Sequence, residues 1–194
     1  MRLVKVLFIL LVFTFTLVTA QDKDAQMTAE QKAWMEYAMP GEMHKMMAEK
    51  VGKWKTYTEM WMQPGTEAMK SEGTVEYKMI LGGRYLKAWY TGTSMGMPFD
   101  GMSIEAYDNA KKEFITTWID SFGTGITVAT SKYHKDKNMM KGTGTMVDPV
   151  TGKDIVYKTV VKMESKDKGV FDMYMTMPDG KDFLSMRMTY IREK

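Results

Sequence analysis

Gly52-Lys53-Trp54-Lys55-Thr56-Tyr57-Thr58-Glu59-Met60-Trp61-Met62 is the stretch that decides the fold. Trp54, Thr56, Thr58, Met60 and Met62 fall on one face of an extended chain. Lys53, Lys55, Tyr57, Glu59 and Trp61 fall on the other, a period of two. Upstream the period is 3.6. Thr28 with Gln31 forms a capping box ahead of Ala33, Trp34, Tyr37 and Ala38, and Pro40 ends that run. A second short helix from about Gly41 carries Met43, Met46, Met47 and Val51 on its apolar face, with Gly52 placed as its C-terminal cap. The change of period at Lys53 marks the start of a sheet.

From there turn signals recur at Gln63-Pro64-Gly65, Gly82-Gly83, Gly92, Asp108-Asn109, Gly123-Thr124-Gly125, Lys135 to Asn138, Asp148 to Gly152, Lys166 to Gly169 and Pro178-Asp179-Gly180. Nine breaks delimit about ten strands. Short strands without intervening helices fit an antiparallel sandwich or an up-and-down barrel. Tight hairpins between consecutive strands favour the barrel, because a long twisted meander closes more readily than it stays flat. The expected fold class is therefore all-β, an antiparallel up-and-down barrel of about ten strands preceded by two short N-terminal helices. Three segments follow: 1–20, 21–52 and 53–194.

Residues 1–20 read as a secretory signal peptide. They have a charged start (Arg2, Lys5), an apolar run from Val6 to Val18, and Val18 and Ala20 at the peptidase spacing. The run is short of the roughly 20 residues a spanning helix needs, and polar Gln21-Asp22-Lys23-Asp24 follows it. No membrane span is expected after cleavage. The chain has no cysteine, which rules out disulfides and an N-terminal lipid on cysteine. Removing Arg2 and Lys5 from the 27 basic residues leaves 25 against 24 acidic ones, intermingled along the chain. Nucleic acid is not an expected partner, since binding it calls for a one-sided basic footprint.

The assembled motifs resemble an uncharacterised bacterial family, domain of unknown function 1579. They are Pro40-Gly41-Glu42 with His44, Gly52-x-Trp54, Trp61 with Pro64-Gly65, Leu81-Gly82-Gly83-Arg84-Tyr85-Leu86, Gly96-x-Pro98-Phe99-x-Gly101, Tyr107-Asp108-Asn109, Trp118-x-Asp120, Gly123-x-Gly125, Asp148-Pro149-x-Thr151-Gly152-Lys153 and Pro178-Asp179-Gly180. Ala106 stands where the family pattern tends to have glycine. The resemblance implies a calycin-like barrel and no assigned activity. In lipocalin-like barrels the tryptophan of Gly-x-Trp plugs one end beneath a late arginine. Trp54 matches that tryptophan, and Arg187 or Arg192 would supply the cation.

Methionine is the compositional outlier, with 23 residues. Thioethers bind Cu(I), and pairs such as Met60-x-Met62, Met95-x-Met97, Met186-x-Met188 and the run Met173-x-Met175-x-Met177 invite that reading. After position 20, however, leucine occurs only at 81, 86 and 184, so methionine stands where leucine usually would. Core packing is the favoured account, with a methionine-lined pocket and a copper site as alternatives. No metal or other cofactor is expected.

The candidate ligand-binding residues are Arg84, Trp118, Asp120, Tyr107, Trp89 and His44. Aromatic bodies with one polar tip suit an amphipathic ligand, an arginine at a strand start suits an anion, and Asp120 shares a strand face with Trp118. Of the two histidines, His134 lies in a polar turn, which leaves His44 as the functional candidate. The leading expectation is an exported, periplasmic or secreted barrel that binds a small apolar or amphipathic molecule without catalysis. A second is an enzyme using His44, Glu42, Arg84 and Asp120 at the barrel mouth as acid, base and anion clamp. A third is an envelope structural or interaction protein whose helices present Trp34, Met35, Tyr37 and Met39 to a partner.

Overall fold

The structure is a computed structural model and describes residues 27–194. The signal-peptide expectation, on residues 1–20, lies outside the described residues. Two helical pieces come first, α1 (Ala29–Ala38) and α2 (Glu42–Ala48). Ten strands follow: β1 (Gly52–Met60), β2 (Met69–Ile80), β3 (Tyr85–Ser94), β4 (Met97–Asp108), β5 (Glu113–Asp120), β6 (Thr127–His134), β7 (Met139–Val147), β8 (Asp154–Ser165), β9 (Lys168–Thr176) and β10 (Asp182–Arg192). Each strand pairs antiparallel with the next, and β1 pairs with β10 to close the barrel. Closure leaves no sheet edge with unpaired backbone groups.

The register sets which residues point inward. Trp54 faces Val75 on β2 and Arg192 on β10, so the even positions of β1 and the odd positions of β2 share the interior. The inward set continues through Tyr90, Gly101 and Asp120, each the cross-strand partner of a neighbour in the series. Lysine, glutamate and threonine occupy most of the outer face of β1 and β2. The sequence alternation around Trp54 is therefore the alternation of barrel wall and solvent.

Two sequence readings change. Helix α2 caps at Glu49, three residues before Gly52, and Gly52 instead opens β1 at φ +124°. A side chain there would be strained, and its Cβ would lie 3.2 Å from Arg192 Nη1. Gly92 is not a turn but an inward position inside β3. The hairpin falls at Met95-Gly96, both with positive φ, as a two-residue turn matched to strand twist requires.

The two ends of the barrel differ. Odd-numbered strands begin at the end nearest the helices and even-numbered strands finish there, so α2 lies across that end. Met47 of α2 is fully buried against Leu86, Phe114 and Met140. Helix α1 buries none of its residues. It is held at its C-terminus, where Asn109 Nδ2 donates to the carbonyl oxygens of Tyr37 (3.0 Å) and Met39 (2.8 Å). Those bonds satisfy carbonyls that a helix end leaves unpaired.

Candidate functional site

The interior holds a cavity of about 470 Å³. It runs from Trp54 and Lys50 at the helix-covered end to Phe99, Asp120 and Phe122 at the other. The covered end is locked by short contacts. Trp54 is 2% exposed and donates Nε1–H to Lys50 O at 2.8 Å. The Arg192 guanidinium lies 4.1 Å from its ring centroid, and its Nη groups donate to Val51 O (2.7 Å) and Glu49 O (2.6 Å). One arginine thus covers the plug and satisfies backbone carbonyls after α2. Of the two arginines considered, Arg187 points outward and pairs with Asp172 through Nε at 2.6 Å.

Above the plug the cavity floor is polar. Lys50 Nζ reaches both oxygens of Glu105, at 3.0 and 2.9 Å, with both side chains largely buried. Tyr77 and Tyr90 hydroxyls meet at 2.9 Å, and the Tyr190 hydroxyl joins the same cluster. The area these tyrosines still expose faces the cavity. Burial pushes all three phenols well above the ordinary tyrosine range, and although one hydroxyl hydrogen bond to each ring opposes it, burial prevails. They are neutral hydrogen-bonding groups at any physiological pH.

The walls have two characters. On one side, rings follow each other in contact from floor to rim. Trp54 and Tyr77 lie 6.5 Å apart between centroids, Tyr77 and Tyr90 6.3 Å, Tyr90 and Trp118 5.1 Å, Phe99 and Trp118 6.2 Å, and Phe99 and Phe122 5.3 Å. On the other side, Met60, Met186 and Met173 sit side by side across β1, β10 and β9, with Met188 and Met146 nearby. Methionine here is both core and cavity wall. Met47 is buried in the core cluster, Met140 belongs to that cluster and also borders the cavity, and Met60, Met146, Met173, Met186 and Met188 line open space. Among the described residues no group of three or more His, Asp or Glu side chains is arranged to hold a metal ion.

Each candidate has a definite place. Trp118 and Asp120 face inward at the uncovered end, with Trp118 Nε1–H donating to Asp120 Oδ2 at 2.6 Å. Tyr107 faces inward at the covered end, packed on Phe114 and edge-on to His44. His44 is buried, and its Nδ1 accepts from Gly41 N–H at 3.0 Å. Burial and, next, the charge of Arg84 hold its pKa below the ordinary histidine value. Arg84 lies in the Leu81–Arg84 turn of the covered end and donates to Leu81 O at 3.3 Å. Trp89 points outward on β3, 47% exposed, with Lys87 Nζ 5.5 Å from its ring.

Two expectations are corrected by this geometry. His44, Glu42 and Arg84 do not share a mouth with Asp120. Asp120 ends β5, six residues beyond Phe114 and so about 20 Å from it along the strand, and Phe114 packs under α2. A single acid-base site cannot draw on both ends. The ion pair at the pocket floor is Lys50 with Glu105. Trp89 is not a wall residue, because odd positions of β3 face solvent. Trp34, Met35, Tyr37 and Met39 are exposed, the arrangement that the interaction reading requires.

Sequence reasoning missed Lys50, Glu105, Tyr77, Tyr90 and Phe99. A signal existed for the tyrosines: carrying inward parity from Trp54 across β2 and β3 puts both inside.

The profile of the family described as "Protein of unknown function (DUF1579)" matches residues 39–192. The chain belongs to the DUF1579 family. Among curated proteins none matches significantly. Solved structures with the same kind of barrel include Rv2717c from M. tuberculosis, with TM-score 0.60 and 10% identity over 80% of this chain and 100% of that one. Another is the S-type phycobiliprotein lyase CPES from Guillardia theta, with TM-score 0.53 and 10% identity over 83% of this chain and 97% of that one. At such identities the likeness shows the fold alone, a calycin-like barrel.

Proposed function

We propose that this DUF1579 barrel binds a small apolar or amphipathic molecule in its interior, without catalysis, and that it does so after export to the periplasm or the cell exterior. One observation carries the binding reading, the cavity of about 470 Å³ with thioether and aromatic walls over a floor of neutral hydroxyls and one neutralised ion pair. Pockets of this size and lining suit small molecules, and a guest packed at protein density would have roughly 15–25 non-hydrogen atoms. Apolar walls supply the affinity. The few convergent polar groups orient the guest. The uncovered end, opposite Trp54, is the route of entry. The likeness to a phycobiliprotein lyase is compatible with an occupied barrel and assigns no reaction. Export rests on the charged start and apolar run of residues 1–20.

Native mass spectrometry of protein purified from its own envelope tests this reading. A co-purifying small molecule and a mature N-terminus near Gln21 are the expected results. An apo mass together with no binding of N-phenyl-1-naphthylamine, a neutral fluorescent probe of suitable size, would refute the binding proposal.

A further inference from the structure

Four residues lining the cavity are ionisable carboxylates or amines: Lys50, Glu72, Glu105 and Asp120. Lys50 and Glu105 neutralise each other at the floor. Glu72 contributes main chain only, since even positions of β2 face solvent and its side chain is exposed. One net charge remains inside, the carboxylate of Asp120 at the rim. Its Oδ2 accepts from Trp118 Nε1–H at 2.6 Å and its Oδ1 from Phe122 N–H at 2.9 Å. Among the described residues no lysine, arginine or histidine makes an ion pair with it.

Three rings line the same rim, Trp118 bonded to that carboxylate and Phe99 and Phe122 packed in series on the indole. Phe99 stacks on Trp118 with planes 20° apart, and Phe122 meets Phe99 edge-on. The indole is held in place from below: a Cβ on Gly101 would lie 2.5 Å from its outer ring atoms, so only glycine lets Trp118 lie flat on β4. An unpaired carboxylate beside fixed aromatic rings is the chemistry that recognises an organic ammonium group, through ion pairing and the negative ring faces. The same carboxylate repels an anion, and among the described residues the cavity offers no unpaired cation to offset it.

We infer that the rim of the cavity, Asp120 with Phe99, Trp118 and Phe122, selects an amphipathic organic cation, its ammonium head at the rim and its apolar body against the methionine wall. This inference rests on the binding reading above and narrows it. It excludes fatty-acid-like carboxylates as the preferred guests.

A charge series with one tail tests it: decyltrimethylammonium, 1-decanol and decanoate, each below its micelle or solubility limit, titrated calorimetrically and by competition with N-phenyl-1-naphthylamine. The cation should bind about tenfold tighter than decanoate, weakening as salt is raised. Asp120→Asn should remove most of the cation's advantage over 1-decanol. Decanoate binding as well as the cation to the natural protein would overturn the inference, even if Asp120→Asn fails to fold. An unaltered cation preference in a folded Asp120→Asn would overturn it too. Binding of 1-decanol and the neutral probe without charge preference sinks this inference alone. No binding by any of the four sinks the cavity reading with it.

Discussion

Each end of the barrel is built around a tryptophan next to a charged residue, and the two pairs do opposite work. At the covered end Trp54 is wholly buried, its Nε1–H is spent on backbone, and the arginine over its face is itself tied to carbonyls of the chain leaving α2. At the open end Trp118 is half-buried, its Nε1–H goes to Asp120, and that carboxylate has no cationic partner among the described residues. Charge at the first end is consumed in holding the fold. Charge at the second is left facing the cavity. The comparison teaches that a tryptophan beside an ion says little until its other partners are known.

Truncating the two tryptophans gives the sharpest break. Trp54→Ala should cost about 3–5 kcal/mol, since it empties a fully packed position and strands Arg192. Trp118→Ala should cost about 1–2 kcal/mol, because its ring already borders open space, yet it should abolish most binding of the neutral probe. Urea midpoints with unchanged slopes would measure both. Equal stability losses would erase the distinction between plug and rim. Arg192→Met should follow at about 2–3 kcal/mol, mostly from carbonyls left unpaired. Arg192→Lys should recover little of it, because an ammonium lacks the guanidinium fork that spans Glu49 O and Val51 O. Full recovery by lysine would mean that charge alone, not geometry, closes this end.

Gly101→Ala comes next, at roughly 1–3 kcal/mol. The added methyl cannot coexist with Trp118 in its present place, so the indole must rotate. Its fluorescence should shift, and the probe should bind more weakly. A variant with unchanged emission and binding would show that the rim does not depend on a fixed indole.

Much of this was legible beforehand, for a physical reason. Alternation in Lys53–Met62 and the recurring turn signals are local properties, so the barrel wall at β1 and the strand count follow from short-range pattern, whereas Trp54 as plug is what the resemblance of Gly-x-Trp to lipocalin-like barrels implies. Trp118 and Asp120 were readable as face-sharing neighbours because i and i+2 share a side in any strand. What failed was parity carried over distance. Composition alone does not separate Trp89 from Tyr90; the pairing of Trp54 with Val75 and of Val75 with Tyr90 places the even positions of β3 inside, which makes Tyr90 a wall residue and leaves Trp89 in solvent. Lys50 and Glu105, 55 positions apart, become partners only through the register of β4 and the seat of α2, which no local pattern encodes.

The smallest effect sharpens the comparison at the covered end, through His44. Its imidazole is buried beside Arg84 and edge-on to Tyr107, with Nδ1 accepting from Gly41 N–H, so the folded state favours the neutral ring. Its folded pKa is lowered relative to the unfolded value near 6.5. The unfolded chain therefore binds more protons in the window just below that value, and stability must rise with pH there. His44's contribution is complete above about pH 6.5 and is lost as pH falls toward the folded pKa. Glu42, on the same helix but exposed, offers a charged His44 no buried partner. Thermal melts from pH 7.5 to 5 should show the natural protein losing more stability than His44→Gln, with the two curves converging at the acid end. Probe affinity should stay unchanged over that range, since neither histidine lines the cavity. Parallel melting curves would place His44 outside the lock, and a probe affinity that tracked its titration would mean that the two ends are coupled.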